Sequence, residues 1–380
     1  MKEADKFHQK WWNNIDIFAL ANILIIMLLG MLLLTSAGIG VAEKLNLPNY
    51  YFIKRQLVYL LVGLLTIFCL FFFNEKYIRR FILLGLVSTI ISLVLVIFFG
   101  EAIKGSKRWL NIAHFSFQPS EFLKPFYISF LAIILSHQKK KLNFKMFSIC
   151  ISFNILIAIL LLLQPDFGMT ITNTVATFAL LFIAGIKLSW VIVILLFGVL
   201  SLYSAYTILP HVALRIDKFM NPVTSSNYQV KKSLSSFLNS GFFGKGPGEG
   251  TIKYNLPDSH TDFIFAVAAE EFGLIFCLMI ILAFTVFSLR GFWNLTKLNS
   301  TFNIYACFGI LMYFSMQFLF NIGVTLNLFP TKGMTLPFIS YGGSSILSFS
   351  IAIGIYLNLT QKKYQSKKEN RKTFIFSQKK

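Results

Sequence analysis

The sequence predicts an all-α polytopic membrane protein of about ten transmembrane helices, with one large extracytoplasmic loop before the eighth. Three observations carry that fold class. Of the 380 residues, 56% are hydrophobic and only 13% are charged. The apolar residues gather in runs of about twenty, the length a helix needs to cross a hydrocarbon layer about 30 Å thick. Basic residues collect in the short segments between the runs, where topology is set.

Taken in order, the first run covers residues 17–37. It is too long for the apolar stretch of a cleavable signal and is read as a retained anchor. Runs at 57–73 and 81–99 follow, separated by the basic loop 74–80. The fourth run, 119–136, opens on Gln118-Pro119-Ser120-Glu121 and carries Lys124. The fifth and sixth, 146–163 and 168–186, meet at the tight turn Gln164-Pro165-Asp166-Phe167-Gly168. The seventh, 188–208, precedes a long segment at 209–261, rich in Gly, Ser and Asn. Long connections in compact folds are more often functional than decorative. Within it, Lys231 and Lys232 mix with Leu234, Phe237, Leu238, Phe242 and Phe243. That pattern suits either an amphipathic interfacial segment or a flexible polar linker. Runs at 262–289, 302–327 and 337–360 complete the set. The division is therefore a short N-terminus at 1–16, a membrane domain at 17–360 and a basic tail at 361–380. No internal repeat of the kind that marks many transporters is present.

Ten spans put both termini on one side, and the distribution of the +20 net charge chooses the side. Lys362, Lys363, Lys367, Lys368, Arg371, Lys372, Lys379 and Lys380 crowd the tail, and the 137–145 loop adds another cluster. Termini on the cytoplasmic side satisfy the positive-inside rule for most of these residues, with Lys54 and Arg55 against it. The excess charge is thus read as topology and headgroup contact, not nucleic-acid binding. Cys69, Cys150, Cys277 and Cys307 all fall inside apolar runs without metal-ligand spacing and are read as small core residues.

Ionisable groups in apolar runs are expensive and persist where they pair, face water or do chemistry. Glu121 and Lys124 are three apart and share a helix face, which fits an internal ion pair or a substrate-facing pair. Asp166, flanked by Pro165 and Phe167-Gly168, is read first as a turn-forming aspartate. Asp262 opens the eighth run after Leu256-Pro257-Asp258-Ser259-His260-Thr261, with Thr261 or Ser259 available as the helix cap. Glu270 and Glu271 lie deeper in the same helix; one is expected to point toward the cavity floor and the other toward the cytoplasmic half. Arg108 and Lys332 supply basic groups at the outer face, suited to an anionic substrate. Gly244-Lys245-Gly246-Pro247-Gly248-Glu249-Gly250 lacks the ending and context of a phosphate loop and is read as a flexible turn.

These motifs, in this order, resemble the signatures of the SEDS family of cell-wall glycosyltransferases. The matching stretches are Gly105-Ser106-Lys107-Arg108-Trp109, Gln118-Pro119-Ser120-Glu121 with Lys124, Gln164-Pro165-Asp166-Phe167-Gly168 and Leu256 through Phe265. Glu270-Glu271-Phe272-Gly273, Asn321-Ile322-Gly323 and Leu336 through Ser345 complete them. The segments 330–337 and 246–250 resemble the division branch, FtsW, more than the elongation branch, RodA. The resemblance implies polymerisation of lipid II at the outer face of the bacterial inner membrane during septal division. It implies Asp262 as the essential carboxylate, acting as general base or as ligand to a divalent cation such as Mg or Mn. Arg108, Lys124 and Lys332 are then diphosphate-binding candidates, with Glu121 orienting Lys124 and with His260 and Ser340 at the substrate. The implied partners are a class B penicillin-binding protein transpeptidase and other division membrane proteins. A lipid II flippase and a non-catalytic division scaffold are the rival functions.

Overall fold

The computed structural model describes residues 15–103, 106–112, 115–138, 143–220, 228–331 and 333–361. Each apolar run holds a helix, with ends that differ from the expected ones by up to seven residues. The first three helices are α1 (Ile17–Lys44), α2 (Tyr51–Phe71) and α3 (Glu75–Phe99). After a short connection come α4 (Pro119–Ser136), α5 (Phe144–Leu163), α6 (Phe167–Ile183) and α7 (Leu188–Ile208). The long segment contributes α8 (Pro210–Met220), α9 (Tyr228–Ser240) and the single turn α10 (Ile252–Asn255). The chain closes with α11 (Ile264–Leu295), α12 (Thr301–Thr325) and α13 (Gly343–Leu359). Six of these, α1, α2, α3, α5, α11 and α12, are long and apolar enough to cross a membrane, and α6 and α13 are shorter apolar helices. The protein is a polytopic, predominantly helical membrane protein.

The centre of the bundle is α12, whose apolar window is 72% buried against 22–44% for the other five long helices. It packs on α4, α6 and α11, while α13 fills the space between α2 and α4. Phe284 of α11 stacks on Phe314 and Phe318 of α12 at ring separations of 5.2 and 4.6 Å. These rings form part of a continuous apolar core through the middle of the bundle. The outward residues of α3, α5 and α11, such as Leu84, Ile159 and Leu282, are exposed and apolar, as lipid contact requires.

Three features depart from the sequence-based expectation. Between α3 and α4 the chain forms a small antiparallel meander, β1 (Glu101–Ile103), β2 (Ser106–Ile112) and β3 (Phe115–Phe117), so the fold is not wholly helical. A short connection leaving a bundle must satisfy its own backbone, and pairing Ala102 with Lys107 and Asn111 with Ser116 does so. Second, α2 starts at Tyr51, so Lys54 and Arg55 lie in its first turns; Arg55 donates to the Tyr51 hydroxyl at 2.7 Å. Third, of the two readings left open for the stretch around 230–243 the flexible linker falls: residues 228–240 form the helix α9, which packs on α11, buries Val230, Ser233, Ser236 and Ser240, and donates from the Ser233 hydroxyl to the Thr325 carbonyl of α12 at 2.7 Å.

Candidate active site

At the end of the bundle reached by the C-terminus of α1 lies a cavity of about 460 Å³. Its walls come from β2, the starts of α4, α6, α9 and α13, α8, the segment before α11, the end of α12, Thr331 and the 333–342 loop. Asp262, Arg108 and Glu121, three of the sequence-predicted site residues, line it.

Asp262 does not sit in the first helical turn. It belongs to a run of turns, 257–263, and α11 begins at Ile264 with Phe263 as its cap position and no side-chain cap bond. Neither Thr261 nor Ser259 caps the helix; the Thr261 hydroxyl donates to the Asp258 carbonyl instead, at 3.2 Å. The backbone at Asp262 is fixed by Asn321 of α12, whose amide donates to the Asp262 carbonyl at 2.9 Å and to the Met334 carbonyl at 2.6 Å. Gly333 brings the loop close: a Cβ there would lie 3.3 Å from the Asp262 carboxylate. A turn held by tertiary bonds presents its side chain to the cavity without spending it on capping.

Arg108 reaches from β2 to the turn before α6. It donates to the carbonyls of Gln164, at 3.3 Å, and of Pro165, and lies 3.7 Å from the Asp166 carboxylate. Asp166 caps α6 by accepting from the Met169 amide at 3.2 Å, as a turn aspartate should. It also lines the cavity, and its second carboxylate oxygen is buried without a hydrogen-bond partner among the described residues. The structural reading of Asp166 is therefore incomplete.

Glu121 and Lys124 form the anticipated ion pair at 2.7 Å, both buried. Glu121 faces the cavity while Lys124 lies beneath it, bonded to Gln317 at 2.6 Å and set 4.6 Å from the Phe349 ring centroid. Gln317 in turn donates to the carbonyl and hydroxyl of Thr335, at 2.9 and 3.0 Å, and Thr335 meets Ser345 at 2.8 Å. The pair thus ties α4 to the loop that walls the site.

His260 and Ser340 support the cavity from behind. The Ser340 hydroxyl donates to the Thr261 carbonyl at 2.5 Å and accepts from the Leu336 amide at 2.8 Å. The His260 ring packs on Phe52 and Tyr341, and its carbonyl accepts from the Tyr341 amide at 2.9 Å. Lys332 lies outside the described residues.

Arg215 of α8 is a cavity residue that the sequence did not single out, being one of several basic residues in a long segment without a motif. Burial and the neighbouring Arg108 push its guanidinium below the ordinary value, opposed by Asp166 and Asp262. Two guanidiniums and two carboxylates therefore feel one another across the same mouth. Asp258 and Gln229 also line it.

No group of three or more acidic, His or Cys side chains suited to a metal is present among the described residues. A cation held by one protein carboxylate and by substrate phosphates needs no such group. The cavity's donor set fits that arrangement, in which Asp262 would be the protein ligand.

A family model described as cell cycle protein, covering FtsW, RodA and SpoVE, matches residues 17–365. The chain belongs to the FtsW/RodA/SpoVE family. This is the SEDS family that the motifs resembled. Among its relatives, a probable peptidoglycan glycosyltransferase FtsW of Caulobacter vibrioides is 36% identical over 357 residues, covering 93% of this chain and 91% of the relative. The FtsW of Coxiella burnetii is 36% identical over 349 residues, covering 87% and 92%. The fold matches a solved structure concerned with coordination of polymerization and crosslinking by a peptidoglycan synthase complex. That match has a TM-score of 0.79 at 24% identity, over 93% of this chain and 99% of the other. Within the FtsW/RodA/SpoVE fold, six of the seven motif stretches supply residues to the cavity wall, and only 270–273 does not.

Proposed function

We propose that this protein is a peptidoglycan glycosyltransferase that polymerises lipid II into glycan strands at the outer face of the bacterial inner membrane, during septal division. The observation that carries it is the Asp262 carboxyl group on the wall of a cavity that also holds the guanidiniums of Arg108 and Arg215. In the reaction, the 4-hydroxyl oxygen of the acceptor sugar attacks the anomeric carbon of the donor. The bond from that carbon to the lipid diphosphate breaks, with inversion. Asp262 accepts the hydroxyl proton as the new bond forms. The diphosphate leaves as a stabilised anion and needs no proton, so one carboxylate suffices where glycoside hydrolysis commonly uses two. Arg108 and Arg215 supply guanidiniums suited to two diphosphate oxygens, where charge develops. Asp166 and the carbonyls of Gln164 and Pro165 hold Arg108 in place beforehand. Asp262 is the residue that would hold a divalent cation, which would supply charge stabilisation for the leaving group.

The ten apolar helices are proposed to span the membrane with both termini cytoplasmic and with the 209–261 segment outside. A class B penicillin-binding protein is the proposed partner that cross-links the new strands, alongside other division membrane proteins. The gathering of Arg108, Asp166, Arg215 and Asp262 at one end of the bundle supports an enzyme over a flippase, which would carry its charges along a path across the bilayer.

The test is glycan-strand formation from labelled lipid II by purified protein with its cognate transpeptidase, comparing wild type with Asp262→Ala. Polymer from wild type alone supports the assignment. Equal polymer from both removes Asp262 from the chemistry. Lipid II movement in vesicles without polymer from either would favour the flippase.

A further inference from the structure

Glu270 and Glu271 are fully buried, yet neither lines the cavity. They sit just before Gly273, where the backbone takes φ 78° and ψ −175° and α11 breaks. Into this break runs the glycine-rich segment from Gly241 to Lys253. The amides of Leu274 and Ile275 donate to the carbonyls of Gly241 and Phe242, at 3.2 and 3.3 Å. The amides of Lys245 and Gly246 donate to the carbonyls of Glu270 and Glu271, at 2.9 and 3.0 Å. A Cβ on Gly244 would collide with the Glu271 backbone, and one on Gly273 with Gly244.

The two carboxylates then take up what the segment offers. Glu270 accepts from the amides of Thr251 and Ile252, each at 2.9 Å, and from the Lys245 ammonium at 2.9 Å. Glu271 accepts from the Gly248 amide at 3.1 Å, from Ser36 of α1 at 2.5 Å and from the Lys253 ammonium at 2.8 Å. Lys253 is itself buried and donates also to Ser36 at 2.9 Å and to the Gly248 carbonyl at 2.8 Å. What resembled a phosphate loop in sequence therefore cradles the protein's own carboxylates.

A buried ion pair is seldom the most stable way to fill a space; well-packed apolar side chains usually do as well or better. What this cluster supplies is register, because each carboxylate takes amides at fixed sequence positions. The anchored end leads directly into α10, and Ile252 and Leu256 pack with Phe263, Ala266 and Val324. The next residues are His260, Thr261 and Asp262, clipped to Tyr341, Ser340 and Asn321.

We propose that Glu270, Glu271 and Lys253 are positioning residues for Asp262: their buried cluster fixes the inner end of the 241–263 segment and so sets where the Asp262 carboxylate enters the cavity. The proposal rests on Asp262 being the catalytic carboxylate. A displacement of about 1 Å at a reacting group costs roughly 100-fold in rate.

The experiment measures polymerisation against lipid II concentration for full-length wild type, Glu271→Gln, Lys253→Met, the double variant and Ser36→Ala, each with the transpeptidase. Thermal midpoints and lipid II binding are read in parallel. Expected is a kcat lower by roughly 100-fold in Glu271→Gln and Lys253→Met, with KM and lipid II affinity within about threefold of wild type. The double variant, which leaves no unpaired charge, should recover at least about tenfold over either single variant. Ser36→Ala removes two hydrogen bonds, one to Glu271 and one from Lys253, but leaves the ion pair intact and strands no charge. It should lower kcat by about fivefold at an unchanged thermal midpoint, and it carries the test if the charge variants do not fold. An unchanged kcat in the folded variants overturns the proposal, as does a parallel fall of kcat, affinity and midpoint. Absence of polymer from wild type would instead sink the functional assignment, and this proposal with it.

Discussion

Arg108 shows how one side chain is prepared for its task. Two carbonyls and Asp166 fix the guanidinium before any substrate arrives, so little entropy is lost on binding. Arg108→Ala is expected to weaken lipid II binding by roughly 10- to 100-fold, the worth of charge-assisted hydrogen bonds of about 1.5–3 kcal/mol. Arg108→Lys should not restore it, because a point ammonium cannot reproduce the planar fork. Titration of fluorescent lipid II into the purified variants decides; unchanged affinity in Arg108→Ala would remove it from the diphosphate site. Lys124 makes the opposite case. It is buried under Glu121 with Gln317 and Phe349 around it, so Lys124→Met strands a carboxylate and should cost about 3–5 kcal/mol of stability. Thermal unfolding in detergent measures this, and a midpoint equal to wild type would mean that Glu121 rehydrates through the cavity.

At the scale of elements, hydropathy made the helices legible because a bilayer punishes any other arrangement of apolar runs. Glu121 with Lys124 and the Asp166 turn were legible too, since intramembrane charge is rare enough to be noticed. The meander at 101–117 and α8 to α10 were not, because short elements outside the bilayer are set by tertiary contacts that no periodicity reports. Arg215 was missed for that reason. The partnership of Glu270 and Glu271 with Lys245 and Lys253 was hidden by the break at Gly273, which apolar patterning cannot show. A comparable close approach joins α1 to the loop that walls the cavity. A Cβ on Gly30 would lie 2.6 Å from the Ile339 Cα and from the Phe338 carbonyl oxygen. Backbone cannot rotate aside as a side chain can, so Gly30→Ala must displace the segment that carries Ser340 and Tyr341. We expect a loss of about 1–3 kcal/mol, from overpacking, together with reduced polymerisation. Gly198→Ala, where the added methyl meets nothing within 4 Å among the described residues, is the control and should leave both unchanged. Equal midpoints for the two variants would show that α1 yields without disturbing the site.

For the whole molecule, orientation and function stand or fall together. α1 passes Ile339 at Gly30, Glu271 at Ser36 and Tyr254 at Gly40, so the cavity lies at its C-terminal end. If the N-terminus is cytoplasmic, the cavity opens on the outer face, where a polymerase acting on exported lipid II must work. If the N-terminus is external, the same cavity opens into the cytoplasm and the proposed reaction loses its site. Cys69 is the exposed native thiol and the other three are buried, so a Cys69→Ser background permits single-cysteine labelling. Asn49→Cys reports the end of α1, Tyr228→Cys the long segment and Lys297→Cys the connection between α11 and α12. A membrane-impermeant maleimide applied to intact spheroplasts should modify the first two and reach Lys297→Cys only after permeabilisation. The reverse pattern would show that the basic tail does not set topology here, against the rule that retains such residues inside. Modification of Asn49→Cys without Tyr228→Cys would place the long segment on the other side, and with it the Lys253 anchor on which the Asp262 segment depends.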